Sequence, residues 1–481
     1  MTRLSVNRSR LSTAITIGSA AACVCLAAST SAYANGRYPS AGQLLVDPAD
    51  PDHLVIRATY GVLTTSDGGE RWSWICEAAI GYSGFEDPMM VLTGDGSVLA
   101  GLFDGLSATH DRGCQWEPGA GGIAERNIVD LSIDRAEPGS VILLGSSVLS
   151  GDEILSQVWE SKDDGRTWAQ AGADLPSTFL GVTLDSAPSD PRRLYVSGRW
   201  NGPSFQGILK RSLDRGRTWE DFDIPGSDDR NLPYIGAVDP GDPDVVYVRR
   251  DGDGADALLV SRDGGATWRE VFQAVSLLGL ALSPDGTKIA VGSDMDGLWI
   301  APTATLEFTQ VGSLGVRCLT WTPQGLFACA DEPVDGFTAG ISTDEGRTFS
   351  PLMTLDRLCG PPPACGSDSA TGATCPALWP ATASFLGGTG PCGDGASPNA
   401  ATSAGGSETG GSGTGAGGTD AGGGCSWSAS GAGHPGVLVS CMIAAGGAIF
   451  GARRRARSRR ATGAPREATS GRRGPSRTKA V

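Results

Sequence analysis

The sequence predicts an all-β chain folded as a seven-bladed β-propeller, and three observations carry that expectation. One eight-residue pattern recurs six times in the 481 residues, its copies stand at nearly equal intervals, and apolar runs of strand length lie between them. The copies are Thr65-Ser66-Asp67-Gly68-Gly69-Glu70-Arg71-Trp72, Thr109 to Trp116 around Asp111, Ser161 to Trp168 around Asp163, Ser212 to Trp219 around Asp214, Ser261 to Trp268 around Asp263, and Ser342 to Phe349 around Asp344. Their starts lie 44, 52, 51 and 49 residues apart, and 81 separates the last two. That gap is nearly two periods, so one unit has lost its pattern. The stretch from Trp299 to Phe308 sits where it belongs. Units of this length, each with four short strands, are the period of a propeller blade.

Each part of the pattern has a physical task. An Asp in a tight turn between two strands accepts backbone N–H bonds in place of missing ladder partners. The Gly two residues later supplies a positive φ. The aromatic opens the outer strand and wedges against the neighbouring blade. Upstream in each unit come two further strands, for example Val46-Asp47-Pro48 followed by Leu54-Val55-Ile56, or Val238-Asp239-Pro240 followed by Val245 to Val248. The pattern is that of the Asp-box, and the chain resembles the Asp-box repeats of sialidases, sortilin, xyloglucanases and the photosystem II assembly factor. All seven units begin in the same phase, which leaves no clear strand exchange to close the ring; residues 35–41 are one candidate.

Charge divides the chain. Residues 1–34 carry 3 basic and no acidic side chains and residues 401–481 carry 11 basic and 3 acidic, so the body between them holds 24 basic and 50 acidic groups. So acidic a body repels phosphate backbones and anionic lipid, which excludes a nucleic-acid partner. The ends read as addresses. Arg3, Arg8 and Arg10, a small apolar run and Ala32-Tyr33-Ala34 read as a signal peptide over 1–34. After the propeller at 35–357 and a Cys/Pro-rich segment at 358–400, residues 401–424 are a Gly/Ser-rich tether. Then come Gly424-Cys425, an apolar stretch over 436–452 long enough for a short transmembrane helix, and an arginine block ending at Arg460. This order resembles the sorting signal of myxobacterial surface proteins (the MYXO-CTERM type). The resemblance implies export, processing at Cys425 by a sorting protease, and a cell-surface or outer-membrane address, with attachment through the helix or the modified Cys425. A basic tail at 461–481 departs from that pattern.

Eight cysteines in the body fit an oxidising compartment. Cys318 and Cys329 stand equidistant from the turn at Pro323-Gln324 and are expected to pair across a hairpin. Cys76 and Cys114 are expected to form a second pair. Cys359, Cys365, Cys375 and Cys392 are expected to staple a small appendage, with three connectivities open.

For function, the six motif aspartates Asp67, Asp111, Asp163, Asp214, Asp263 and Asp344 read as structural, because the turns holding them lie away from the face where propellers bind ligands. That other face is built by the loops after each second and fourth strand. It is expected to carry Tyr82, Phe85, Glu86 and Asp87; Arg199, Trp200, Asn201 and Phe205; Asp228, Asp229 and Arg230; and Asp251, Asp253, Asp256, Asp294, Asp296, Asp331, Glu332 and Asp335. Trp200, outside any motif and flanked by Arg199 and Asn201, is the leading candidate to stack on a sugar or anchor a peptide. Asp251, Asp253 and Asp256 alternate as Ca²⁺ ligands do, but without the Glu and the length of an EF-hand they read better as a solvated acidic turn; no other cofactor is expected. His53 is expected at the surface near a turn, which leaves no histidine placed for catalysis. The resemblance to sialidases implies an Arg-Ile-Pro segment, and the chain has Asp223-Ile224-Pro225 instead. The sequence therefore reads first as a surface-anchored, non-catalytic binding or scaffold module for a glycan or an envelope protein. A glycoside hydrolase is the second reading and an envelope assembly factor the third.

Overall fold

A computed structural model describes residues 37–388, except 84, 85, 136, 138, 151, 152, 203 and 204. The expected signal peptide, tether, sorting signal with Cys425 and its helix, and basic tail lie outside the described residues, as do Phe85 and Cys392. Among the described residues no helix is long and apolar enough to cross a membrane.

Seven antiparallel sheets of four strands follow one another along the chain, as the sequence predicts, over 41–75, 89–118, 128–170, 179–223, 233–274, 277–312 and 318–353. Chain order equals sheet order in every blade, so each strand pairs with its sequence neighbour and only tight turns are needed to build the unit. The unit at 277–312 lacks the motif yet folds alike: strands Gly297–Pro302 and Thr309–Gly312 flank its turn, and Phe308 supplies the wedge, 4.7 Å from Phe272 of the preceding blade.

The motif turn forms alike in all six copies. The Ser or Thr hydroxyl donates to the Asp carboxylate at 2.7 to 2.9 Å. The motif Gly N–H donates back to the same hydroxyl oxygen. The Asp also accepts the N–H four residues on, at 2.8 Å for Thr167, Thr218 and Thr267. The glycine answers two demands. Gly165 has φ +84°, and a Cβ there would stand 2.5 Å from Leu99 of the preceding blade. Gly346 meets Leu298, and Gly69 meets Leu352 of the last blade, in the same way. The turn thus lets each blade close onto its predecessor.

The core consists of slabs between blades. Val91, Leu99 and Leu106 of the second blade pack on Leu131, Val141 and Leu143 of the third, with Trp168 at the edge, and Trp219 and Trp268 border the next two slabs. Near the axis the inner strands are laced by side chains. Gln43 bonds both the N–H and the C=O of Met90, Asp130 accepts from Leu184 N–H at 2.8 Å, and Thr183 Oγ1 accepts from Ile235 N–H. Burial lifts the Asp130 carboxyl to about 7, against the two N–H bonds it accepts.

Among the described residues the four strands of every blade, the first and last included, come from one continuous segment. At the joint between the last and first blades Thr320 Oγ1 donates to Leu44 O at 2.7 Å, Trp72 Nε1 donates to Leu352 O, and the chain then passes to the rim of blade 1. There Leu358–Cys359 pairs in parallel with Trp72 and Ser73 as a fifth strand. The helix Ala370–Leu386, capped by the Ser369 hydroxyl, lays Trp379 against Trp74 with ring centres 5.5 Å apart. Two disulfides fasten this clamp, Cys76–Cys375 and Cys114–Cys365. Cys76 and Cys114 therefore do not pair with each other: although Gly113 packs on Ile75, each thiol is taken by a cysteine of the segment that follows blade 7. Nor is the segment after 357 a separate appendage, since Leu358, Cys375, Trp379 and Leu386 belong to the core of blade 1. Cys318 and Cys329 are cross-strand partners and form the hairpin disulfide; Cys359 is disulfide-bonded as well.

Asp163→Ala is expected to lower unfolding free energy by about 1–2 kcal/mol, as loss of a cap does, in denaturant titrations. Hydrogen bonds from Thr348 N–H, then from the Thr348 and Ser342 hydroxyls, hold Asp344 at about 2, below its unfolded value. That contribution is complete above the unfolded carboxylate pKa and is lost as pH falls through about 2, so acid melting of Asp344→Asn should show a shallower decline. Cys76→Ser combined with Cys375→Ser, with Cys114–Cys365 left in place, frees a loop of roughly 50 residues and should cost about 4 kcal/mol, shown by a lower denaturation midpoint without reductant.

Candidate functional site

Antiparallel strands in fixed order send the loops after every second and fourth strand to one face, and the six motif turns to the other. On the loop face of blade 5 four side chains form one cluster. Tyr234 opens the inner strand Pro233–Val238, and Arg249 lies opposite it in Val246–Arg250. The Arg249 guanidinium carbon sits 4.4 Å over the Tyr234 ring. From there Arg249 reaches two carboxylates, with Nη2 3.1 Å from Asp251 Oδ1 and Nη1 3.8 Å from Asp256 Oδ2. Asp256 is fixed by the N–H groups of Leu277 at 2.9 Å and Gly252 at 3.3 Å.

The two carboxylates have different surroundings. Burial pushes the Asp251 carboxyl up and the charge of Asp256 adds to it, while Arg249 and the Tyr234 hydroxyl pull it down; the net shift is upward. The Tyr234 hydroxyl is itself raised by burial. A carboxyl shifted upward by burial beside a second, backbone-fixed carboxylate on the loop face is the equipment of acid–base chemistry on glycosidic bonds.

This arrangement corrects the calcium reading of the loop. Asp251 and Asp256 turn to Arg249, whose charge takes the place a cation would occupy, and Asp253 stands exposed at the tip. Among the described residues no group of three or more His, Cys, Asp or Glu side chains converges for a metal.

Blade 4 brings Arg199, Asn201 and Phe205 together. Arg199 is 6% exposed, lies 5.0 Å from the Phe205 ring centre, and reaches Asn201 at 3.4 Å. Its buried Nε has no hydrogen-bond partner. Burial lowers its pKa, opposed by the charge of Asp229. Trp200 is not a free platform. Its ring meets Phe179 edge-on at 5.6 Å, and Lys210 Nζ, held by Asp221 at 2.6 Å, lies 4.7 Å from each ring. Asp228 closes its own turn through the N–H groups of Arg230 and Asn231.

Across the ring, Tyr82 is buried with its hydroxyl unpartnered, and Asp87 pairs with Arg37 while its carbonyl accepts from Arg57 at 2.7 Å. Asp296 accepts from Val275 N–H, and Glu332 from Thr338 and Leu355. His53 is not at the surface but 1% exposed, on the motif face, with Nδ1 3.1 Å from the buried Asp47. Sequence reasoning missed Tyr234, Arg249 and Arg317. Nothing in their spacing marks them, and only the strand register places them at the mouth of the ring.

No protein-family profile matches the chain. Curated relatives exist, and those that match are xyloglucanases. The enzyme of Hypocrea jecorina is 28% identical over 214 residues, 42% of this chain and 23% of that one. The Paenibacillus sp enzyme is 32% identical over 174 residues, 30% of this chain and 16% of that one. The chain thus spans less than a quarter of the length of these relatives. Among solved structures, an ancestral GH74 enzyme aligns with 66% of this chain and 49% of its own at 14% identity and a TM-score of 0.47, and a Hadza microbial sialidase with 58% and 70% at 15% identity and 0.37. The curated relatives overturn the expectation of a non-catalytic binding or scaffold module: the proteins this chain resembles in sequence are named for hydrolysis of a glycan. Its disulfides mark it as an exported protein.

Proposed function

We propose that this chain is an exported glycoside hydrolase that cleaves a β-glucan of the xyloglucan kind, held at the cell surface by its C-terminal signal. The observation that carries the reading is the Asp251–Asp256 pair on one guanidinium, with Asp251 shifted upward. The xyloglucanase relatives supply the substrate class. In this reaction Asp251 gives its proton to the glycosidic oxygen as that bond breaks. Water attacks the anomeric carbon and gives its proton to Asp256 as the new bond forms. Arg249 lies between the two carboxyls and limits their mutual repulsion, and the Tyr234 ring supports its guanidinium.

The test is release of reducing ends from xyloglucan and other β-glucans by the full chain, oxidised and purified from an exporting host. Asp251→Asn should lower kcat by at least about 10²-fold, the contribution of a positioned acid. A wild type that releases nothing, or an Asp251→Asn variant that keeps its rate, overturns the proposal.

The pH dependence has a definite sign. Activity needs protonated Asp251, so kcat/KM should fall as pH rises through its elevated pKa, on the alkaline side of the ordinary carboxylate range. Carbon-detected NMR of Asp251 should show titration at lower pH in Asp256→Asn, where a repelling charge is gone, and at higher pH in Arg249→Gln.

A further inference from the structure

The clamp is fastened by two bridges that are unequally protected. Seven cysteines among the described residues are disulfide-bonded, and five of them are buried, Cys76 at 2% exposure and Cys375 at 0% among these. Cys114 and Cys365 are only half-buried. The motif explains why. Cys114 fills its sixth place, and the residues at that place in the other five copies, Glu70, Arg166, Arg217, Ala266 and Arg347, are all exposed. Asp111 fixes the backbone there by accepting the Cys114 N–H at 3.0 Å. An open cavity of about 440 Å³ adjoins the bridge, and its walls include Cys114 and both chain neighbours of Cys365, Ala364 and Gly366.

The contact does not depend on this bridge alone. Thr371 N–H donates to Cys114 O at 3.0 Å, the Thr371 hydroxyl donates to Gly113 O, and Ala370 N–H donates to Gln115 Oε1 at 3.0 Å. With Cys76–Cys375 out of reach in the core, opening Cys114–Cys365 loosens the clamp without releasing it. The cavity also selects by charge. Asp111 and Asp368 stand exposed in its wall, and Arg112, the neighbouring cation, is engaged with Asp50 at 3.0 Å. A nucleophile carrying further negative charge is repelled there.

We propose that Cys114–Cys365 is a thiol-exchange site, opened in the folded protein by small neutral or cationic thiols, which makes the clamp redox-sensitive. A thiolate attacks Cys114 Sγ and forms a mixed disulfide, while the electron pair of the broken S–S bond leaves on Cys365 Sγ, which takes a proton from water. A second thiolate attacks the sulfur of the bound thiol and frees Cys114, which is protonated in turn. Two thiols are thereby oxidised to one small disulfide as one protein bridge is reduced. The site is independent of the hydrolase reading.

The experiment treats the full oxidised chain with 2-mercaptoethanol under folding conditions, traps new thiols with iodoacetamide and maps them by peptide mass spectrometry. Cys114 and Cys365 should be labelled at least about tenfold faster than Cys76, Cys375, Cys318 and Cys329, since access governs exchange. Labelling of another bridge first, or of all bridges together at the rate of global unfolding, would overturn the proposal. At equal thiolate concentration and low salt, cysteamine should react fastest and 2-mercaptoethanesulfonate slowest. The spread should shrink in Asp368→Asn and near about 1 M salt. Equal rates for the three thiols at low salt would remove the charge selectivity. Cys114→Ser combined with Cys365→Ser should melt below wild type, and mild thiol should bring wild type down to that midpoint without moving the variant. A variant that moves as well reveals a second labile bridge and refutes the assignment. Where the variant fails to fold, the order of labelling in wild type decides.

Discussion

The joint between the last and first blades is the constraint on which the rest of the molecule depends. Each of the other joints is bridged by a covalent loop from one blade's outer strand to the next blade's inner strand, so packing there needs only to orient what the chain already connects. At the joint of the ends there is no such loop. It is held by Trp72 on Leu352, Thr320 on Leu44 and Tyr38 on Asp331, and the chain beyond blade 7 is carried round to the rim of blade 1. Both ends of the ring are tied to that one blade. The alignment of the loop face, and with it the position of every group around the mouth, follows from that closure.

Much of the fold was legible because the repeat encodes it locally. The hydroxyl, carboxylate and glycine of the turn at Ser161-Asp163-Gly165 need nothing beyond five residues to form their bonds, so the pattern declares itself in any copy. The wedge survives in the blade that lost the turn, because Phe308 needs only bulk and position. Ring closure was not legible. Leu358 and Cys359 form a two-residue strand with no alternation to betray it, and the disulfide partners of Cys76 and Cys114 lie 299 and 251 residues away. Pairing at that range depends on the closed shape, which spacing does not contain.

The site divides in the same way. Strand order alone decides which loops share a face, so their grouping was legible, and Asp251, Asp253 and Asp256 drew notice as an acidic turn or calcium loop and not as reacting groups. The sequence could not say what faced them. Arg249 sits at the end of a strand beside Arg250, and its meeting with Tyr234 is a matter of register between two strands. Trp200 misled for the converse reason. An aromatic at the end of a strand looks available, yet Phe179 and Lys210 cover it. His53 looked exposed beside a turn because the neighbouring blade, whose Gly96 approaches it, is invisible from the local sequence.

The clamp has a consequence for biogenesis. A chain exported from its N-terminus delivers Cys76 and Cys114 to the oxidising side long before Cys365 and Cys375. In the emerging polypeptide the two early thiols are only 38 positions apart, and closing a short loop is entropically easier than closing one of hundreds of residues. First-come oxidation therefore favours the wrong bridge, one that the finished wheel does not contain. Such a bridge must be undone by thiol–disulfide exchange before the clamp can close, so the yield of correctly bridged molecules depends on that exchange as well as on the assembly of the blades.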